Sequence, residues 1–215
     1  MASDIKAVIF DMDGVLLDTE SMSDKTWAMA AKEFNVAVTA DALNRCRGSN
    51  KEDIIAILKE MYGNDFDVEK FLEATGKYFR ELEFSSGIPL MHYAKEILEY
   101  LKPKYRLALA SSTSGPSVHR QLKNAGLIQY FAQMVTGDMV THSKPNPEIY
   151  LRAASSIGIS PENCLAIEDS PNGIRSASAA GMKVIMVPDM IKPTAELEKL
   201  CWKVLPSLEE LKSVL

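Results

Sequence analysis

The sequence predicts an α/β fold: a doubly wound parallel sheet with a small all-helical segment inserted after the first strand. Three observations carry this. Short apolar runs closed by turn residues recur along the chain. Helical patterns lie between them, which is the alternation of a parallel sheet. The stretch from Asp18 to Ser86 has helical spacing and no apolar strand run.

The elements follow in order. Ala7-Val8-Ile9-Phe10 is apolar throughout and stops at Asp11-Met12-Asp13-Gly14. A continuous apolar run with a turn signal is the pattern of a strand covered on both faces. In the insert, Trp27, Ala30, Ala31 and Phe34 share one helical face, as do Ile54, Ile55, Ile57 and Leu58. Gly48, Gly63 and Gly76 punctuate it, which predicts about four helices. The chain returns to the sheet domain near Gly87-Ile88-Pro89. The predicted division is therefore 1–17 with 87–215 for the α/β domain and 18–86 for the insert. Tyr93 to Leu101 is the next helix, with Ile97, Leu98 and Leu101 on one side. Arg106 to Ser111 repeats the strand grammar. Ser117 to Ala125 is a helix stopped by Gly126. Met134 to Thr136 is a brief strand, and Pro147 to Ile157 a helix ended by Gly158. Cys164 to Asp169 is a strand. Pro171 suits the first turn of a helix running to Gly181. Val184 to Val187 is a strand, and Lys192 to Leu215 reads as peripheral helix and strand.

Composition narrows the function classes. With 47% hydrophobic and 25% charged residues in 215, the chain has the ordinary globular balance, which excludes wholesale disorder. Its apolar runs are too short to span a bilayer, so no membrane role is expected. Net charge is −5 and no Lys/Arg-rich run occurs, so no nucleic-acid partner is expected. Cys46, Cys164 and Cys201 are scattered and the N-terminus lacks a signal-peptide layout. A cytoplasmic location and a monomer are the defaults.

Four short segments stand at the C-terminal ends of predicted strands, where open α/β sheets bind ligands. In Asp11-Met12-Asp13-Gly14, two carboxylates follow a buried strand, and their repulsion and desolvation call for a cation or a proton. Mg²⁺ suits hard oxygen ligands, Asp11 could act as nucleophile and Asp13 as general acid/base. An Asx turn is the bland alternative. Ser111-Ser112-Thr113-Ser114-Gly115 offers hydroxyls and backbone N–H groups before a helix, either an anion cradle or a helix cap. Ser143-Lys144-Pro145-Asn146-Pro147 holds a lysine between prolines, placed to stabilise a phosphoryl oxygen or to screen the aspartates, or else simply solvated. Ile167-Glu168-Asp169-Ser170-Pro171 brings a second acidic pair, with Asp169 or Ser170 as a cap in the alternative. Their coincidence on one sheet edge favours the functional reading of all four. His92, His119 and His142 are isolated and carry no catalytic assignment.

These residues resemble the haloacid dehalogenase superfamily. Phe10-Asp11-Met12-Asp13-Gly14-Val15-Leu16-Leu17-Asp18-Thr19-Glu20 looks like its opening signature. Ser111, Lys144-Pro145 and Glu168-Asp169-Ser170 are similar to its later motifs, in order and across the whole chain. The resemblance implies a Rossmann-like core with a helical cap after the first strand, as in the β-phosphoglucomutase-like branch. It implies that Asp11 becomes an aspartyl phosphate, that Asp13 protonates the leaving oxygen and then deprotonates water, and that Ser111 and Lys144 hold the phosphoryl group. Asp11, the Asp13 carbonyl and Asp169 would bind Mg²⁺, with Glu168 in or just outside the ligand set. Phosphate and substrate contacts would extend to Met12, Gly14, Ser112, Thr113, Glu20, Gly48 and Lys51.

An aspartate at position 13 points to phosphate-ester or phosphoanhydride chemistry, since dehalogenase and phosphonate-cleaving members lack it. The implied activity is a phosphohydrolase acting on a small phosphorylated metabolite such as a sugar phosphate. Sugar-phosphate mutases of the branch carry an arginine where Lys51 stands and a histidine near Ser23. Both departures favour a phosphatase over a phosphomutase, the nearest rival. A non-catalytic phosphate-binding regulatory module is the second rival, and the retained Asp11, Asp13 and Asp169 speak against it.

Overall fold

The computed structural model describes residues 4–46 and 51–215. It resolves into two compact units, Met1–Asp18 with Pro89–Leu215, and Thr19–Ile88.

The first unit is a six-stranded sheet: β1 (Ala7–Phe10), β2 (Arg106–Ser111), β3 (Gln133–Thr136), β4 (Cys164–Glu168), β5 (Lys183–Met186) and β6 (Lys203–Val204). The order across the sheet is β3-β2-β1-β4-β5-β6, and every neighbouring pair is parallel. Both central strands are buried at every residue, as their unbroken apolar runs require. The chain winds outward from β1 through β2 to β3, then returns to place β4 on the other side of β1. The order of this sheet therefore switches between β1 and β4, where such folds open a crevice at the strands' carboxyl ends.

Between the strands run α5 (Ala94–Leu101), α6 (Gly115–Asn124), α7 (Glu148–Ser156), α8 (Pro171–Ala179) and the short α9 (Ala195–Glu198). Ile149, Tyr150, Ala153 and Ala154 of α7 pack with Ile9, Ala108, Ala166 and Ile174 in one core. The sixth strand is only two residues long, pairing Lys203 with Ile185 and Val204 with Met186. Two residues carry no periodicity, so the sequence could mark only a peripheral strand there.

The second unit holds α1 (Thr19–Glu33), α2 (Ala40–Cys46), α3 (Lys51–Tyr62) and α4 (Val68–Ser86) among the described residues. Their shared core centres on Phe71, with edge-on rings from Trp27 at 5.4 Å and Phe34 at 5.6 Å. Asp67 caps α4 by accepting from the Lys70 N–H at 3.1 Å. Gly76 departs from its expected punctuating role, because it lies inside α4. A Cβ there would meet only the Arg80 guanidinium, at 3.4 Å, so tertiary packing carries the helix through a residue of poor propensity. Among the described residues no helix is long and apolar enough to cross a membrane.

Candidate active site

Asp11 follows β1 directly, and its N–H extends the ladder to the Ile167 carbonyl at 3.0 Å. The next residues turn sharply. The Met12 carbonyl accepts from the Leu16 and Leu17 N–H groups, and Gly14 donates to the Leu17 carbonyl. Gly14 has φ of 73°, and a Cβ on it would stand 2.5 Å from an Asp169 carboxylate oxygen. Glycine is needed here for both reasons. The turn thus presses the end of β1 against the end of β4, with Met12 buried beneath.

Lys144 ties these ends together. Its ammonium donates to Asp11 Oδ1 at 2.7 Å, Glu168 Oε1 at 2.7 Å and the Ala110 carbonyl at 3.0 Å. The loop carrying it is stitched down on both sides. Glu148 accepts from the Thr141 and His142 N–H groups, and the Ser176 hydroxyl donates to the Asn146 carbonyl at 2.6 Å. The Lys144–Pro145 peptide is cis. His142 is exposed, turned to Glu148 rather than to the carboxylates.

Glu168 is fully buried and engaged by five donors. Lys144 and the Tyr150 hydroxyl, at 2.8 Å, reach Oε1, while the Asp169 N–H, the Ser170 N–H and the Ser170 hydroxyl reach Oε2. Gly173, in the first turn of α8, makes room for it, since a Cβ on Gly173 would overlap the Glu168 carboxylate.

The charges do not balance. Three buried carboxylates, Asp11, Glu168 and Asp169, offer oxygen atoms lying within 4.8 Å of one another, and one ammonium serves them. Burial, reinforced by Glu168 and Asp13 and opposed by Lys144, pushes the Asp11 carboxyl up to about 8. Burial, then Glu168 and Asp11, raise Asp169 well above the carboxylate range, and Asp189 adds to this. Burial alone would pull the Lys144 ammonium down, but Asp11 and Glu168 outweigh it and raise its pKa. Asp169 Oδ1 is buried with no hydrogen-bond partner. An orphaned carboxylate oxygen beside a second buried carboxylate is what a hard divalent cation would satisfy, so the donor set fits such an ion.

The opposite wall comes from the loop after β2. Asp13 Oδ2 accepts from the Thr113 hydroxyl at 2.9 Å and the Ser111 hydroxyl at 3.3 Å. Ser111 Oγ in turn accepts from the Thr113 N–H at 3.1 Å. Gly137 holds this loop, donating to the Thr113 carbonyl at 3.0 Å, and a Cβ on it would overlap the Ser112 carbonyl. The Gly115 N–H at the head of α6 is taken by Asp138 Oδ1 at 2.8 Å, so that part of the expected anion cradle is spent internally. The Thr136 hydroxyl and that N–H hold Asp138 below the usual carboxylate range.

The structure therefore gathers Asp11, Met12, Asp13, Gly14, Ser111, Ser112, Thr113, Lys144, Glu168 and Asp169 at one sheet edge of the first unit. Glu20 stands in the first turn of α1 and Lys51 opens α3, both in the second unit. Gly48 lies outside the described residues. Tyr150, Gly173 and Asp189 escaped the sequence reading. Tyr150 is hidden among core positions of α7. A glycine inside a helical pattern was the available signal for Gly173.

The haloacid dehalogenase-like hydrolase profile matches residues 8–187. The phosphorylated carbohydrates phosphatase of Thermotoga maritima is 34% identical over 182 residues, 84% of each chain. The fructose-1-phosphate phosphatase of Escherichia coli is 28% identical over 180 residues, 84% of this chain and 95% of its own. The crystal structure of a β-phosphoglucomutase-like protein from Thermotoga maritima superposes with a TM-score of 0.81 at 32% identity, covering 98% of this chain and 100% of that one. A match running from the first residues of β1 past the end of β5, on a switch point lined with carboxylates, has one consequence: the chain belongs to the haloacid dehalogenase-like hydrolase family, as an enzyme of its phosphatase type.

Proposed function

We propose that this protein is a Mg²⁺-dependent phosphohydrolase that cleaves small phosphorylated metabolites, sugar phosphates foremost, through an aspartyl phosphate on Asp11. One observation supports it above the rest: a buried aspartate at the end of β1 shares a lysine ammonium with a second carboxylate, 2.7 Å from each. The sugar-phosphate class is supported by the names of the two curated relatives.

In this reading Asp11 attacks phosphorus while the bond to the leaving oxygen breaks. Asp13 hands that oxygen a proton and then takes one from the water that hydrolyses the aspartyl phosphate. Ser111 and Lys144 hold the phosphoryl oxygens. Asp11, Asp169 and the Asp13 carbonyl would hold the ion, with Glu168 fixing Lys144 and the β4 turn from just outside. When bound, Mg²⁺ offsets the carboxylate repulsion and polarises the phosphoryl oxygens.

The test replaces Asp11 with Asn, which keeps the shape and removes the nucleophile. Mg²⁺-dependent phosphate release from a panel of sugar phosphates should fall about a thousandfold or more, with the melting transition retained. Undiminished release would end the proposal. The structural likeness to a β-phosphoglucomutase-like protein supplies a second reading, phosphoryl transfer between sugar hydroxyls. Ser23 and Lys51, in place of histidine and arginine, favour hydrolysis. Conversion of β-glucose 1-phosphate to glucose 6-phosphate with little free phosphate would reverse that preference.

A further inference from the structure

We infer that Asp138 is a positioning residue for the phosphate site: it caps α6 from the end of β3 and so fixes the short loop that presents Ser111. This deepens the phosphatase reading and rests on it. Ser111 ends β2 and Gly115 opens α6, so only Ser112, Thr113 and Ser114 lie between them. Consecutive residues at the end of β3 grip this loop. Thr136 faces Ser111 in the strand register, and the Gly137 N–H donates to the Thr113 carbonyl at 3.0 Å. Asp138 Oδ1 accepts from the Gly115 N–H at 2.8 Å and from the Thr136 hydroxyl at 2.6 Å. Among the described residues, Ser114 at the N-cap of α6 caps no backbone N–H and turns its hydroxyl to that of Ser117 at 3.3 Å. An aspartate from another loop therefore does the work that a local cap ordinarily does. The fit is close. A Cβ on Gly115 would stand 3.2 Å from Thr136 Oγ1 and 3.3 Å from Asp138 Oδ2.

The loop after β3 also carries Lys144, and Glu148 holds it beyond Asp138 through the Thr141 and His142 N–H groups. Asp138 thus ties together the two loops that supply Ser111 and Lys144, the side chains assigned to the phosphoryl oxygens. Asp138 is exposed and acts through Gly115 and the loop, not by touching substrate. A carboxylate repels a phosphate, so its charge works against binding and its geometry works for it. That opposition separates the two effects by experiment.

The test measures kcat, KM and the inhibition constant of inorganic phosphate for wild type, Asp138→Ala and Asp138→Asn with Mg²⁺ present. The ester is the best-cleaved one of the sugar phosphate panel, followed by the sugar it releases so that phosphate can be added. Asp138→Ala should raise KM and the phosphate inhibition constant together by about threefold to tenfold, the scale of a lost helix cap. Its kcat should stay within about threefold, because the loop holds ground state and transition state alike. Asp138→Asn keeps an oxygen for both donors and should restore both constants. Asp67→Ala removes a side-chain cap from α4 and should leave the phosphate constant unchanged. If Asp138→Ala does not fold, Asp138→Ser, one bond short of both donors, carries the same comparison. Four results would overturn the inference: an unchanged phosphate constant in the alanine variant, an asparagine variant that fails to restore it, an equal loss in Asp67→Ala, or tighter phosphate binding in the alanine variant, which would make Asp138 a repelling charge. Each of these, with an active wild type, removes the Asp138 role alone. A wild type that cleaves no ester of the panel removes the phosphatase reading, and this inference with it.

Discussion

Gly173 is where a single methyl group should undo the site. Its Cβ would occupy the space of the Glu168 carboxylate, and Glu168 has no exposed surface through which to retreat. Gly173 sits in the first turn of α8, its N–H bonded to the Ser170 hydroxyl at 3.1 Å, so the helix cannot shift without losing its cap. Alanine in a helix ordinarily gains about 1 kcal/mol over glycine. Against this stands a buried carboxylate forced away from Lys144 and Tyr150, and breaking a buried pair costs about 3–5 kcal/mol. Gly173→Ala should therefore destabilise by about 2–4 kcal/mol, lowering Tm by about 5–15 °C in a chain of this size. Scanning calorimetry of the metal-free protein reads this directly. Gly76→Ala is the control. Its Cβ would meet only the Arg80 guanidinium, so it should leave Tm unchanged or raise it by about 1–3 °C. In a Glu168→Ala background the clash partner is gone, and Gly173→Ala should turn neutral or stabilising. A Gly173→Ala protein as stable as wild type would refute the steric reasoning. So would a loss that persists undiminished after Glu168 is truncated.

Two further outcomes follow from the same network. Tyr150→Phe removes one of the five donors to Glu168 while keeping the ring in the core. It should lower unfolding free energy by about 1.5–3 kcal/mol, the worth of a hydrogen bond to a charged group, and an unchanged urea midpoint would count against the bond. The pH dependence has a definite sign. The Asp11 carboxyl is raised from 3.8 to about 8 by burial, so its ionisation on unfolding is favoured across that interval. Metal-free protein should lose stability as pH rises from 5 to 8 (about the window set by that shift), and Asp11→Asn should flatten the slope. Added Mg²⁺ should raise Tm more at the upper end, where the cation competes least with protons. Equal Mg²⁺ shifts at both ends would break the link between the ion and the buried carboxylates.

The outcome of these experiments turns on relations between residues, and relations were the least legible part of the sequence. β1 and β4 could be read because strands covered on both faces must be apolar without interruption, and Asp11 and Glu168-Asp169 stand out where those runs end. Lys144 could be named as a candidate cation. Its partners could not, because they stand 133 and 24 residues away, just after β1 and at the last residue of β4, and only the strand order brings them together. The same limit explains Thr113 and Gly115. A run of hydroxyls and N–H groups before a helix looks like an anion cradle when only local spacing is visible. The fold spends one N–H on Asp138 and two hydroxyls on Asp13. Gly173 and Tyr150 escaped for the opposite reason. Each satisfies an ordinary local rule, a glycine near a helix start and an aromatic at a core position, and each acquires its second role only when Glu168 is folded against it. A parallel sheet with a switch point thus divides the information. Local pattern places the carboxylates at the edge, and topology decides which donors reach them.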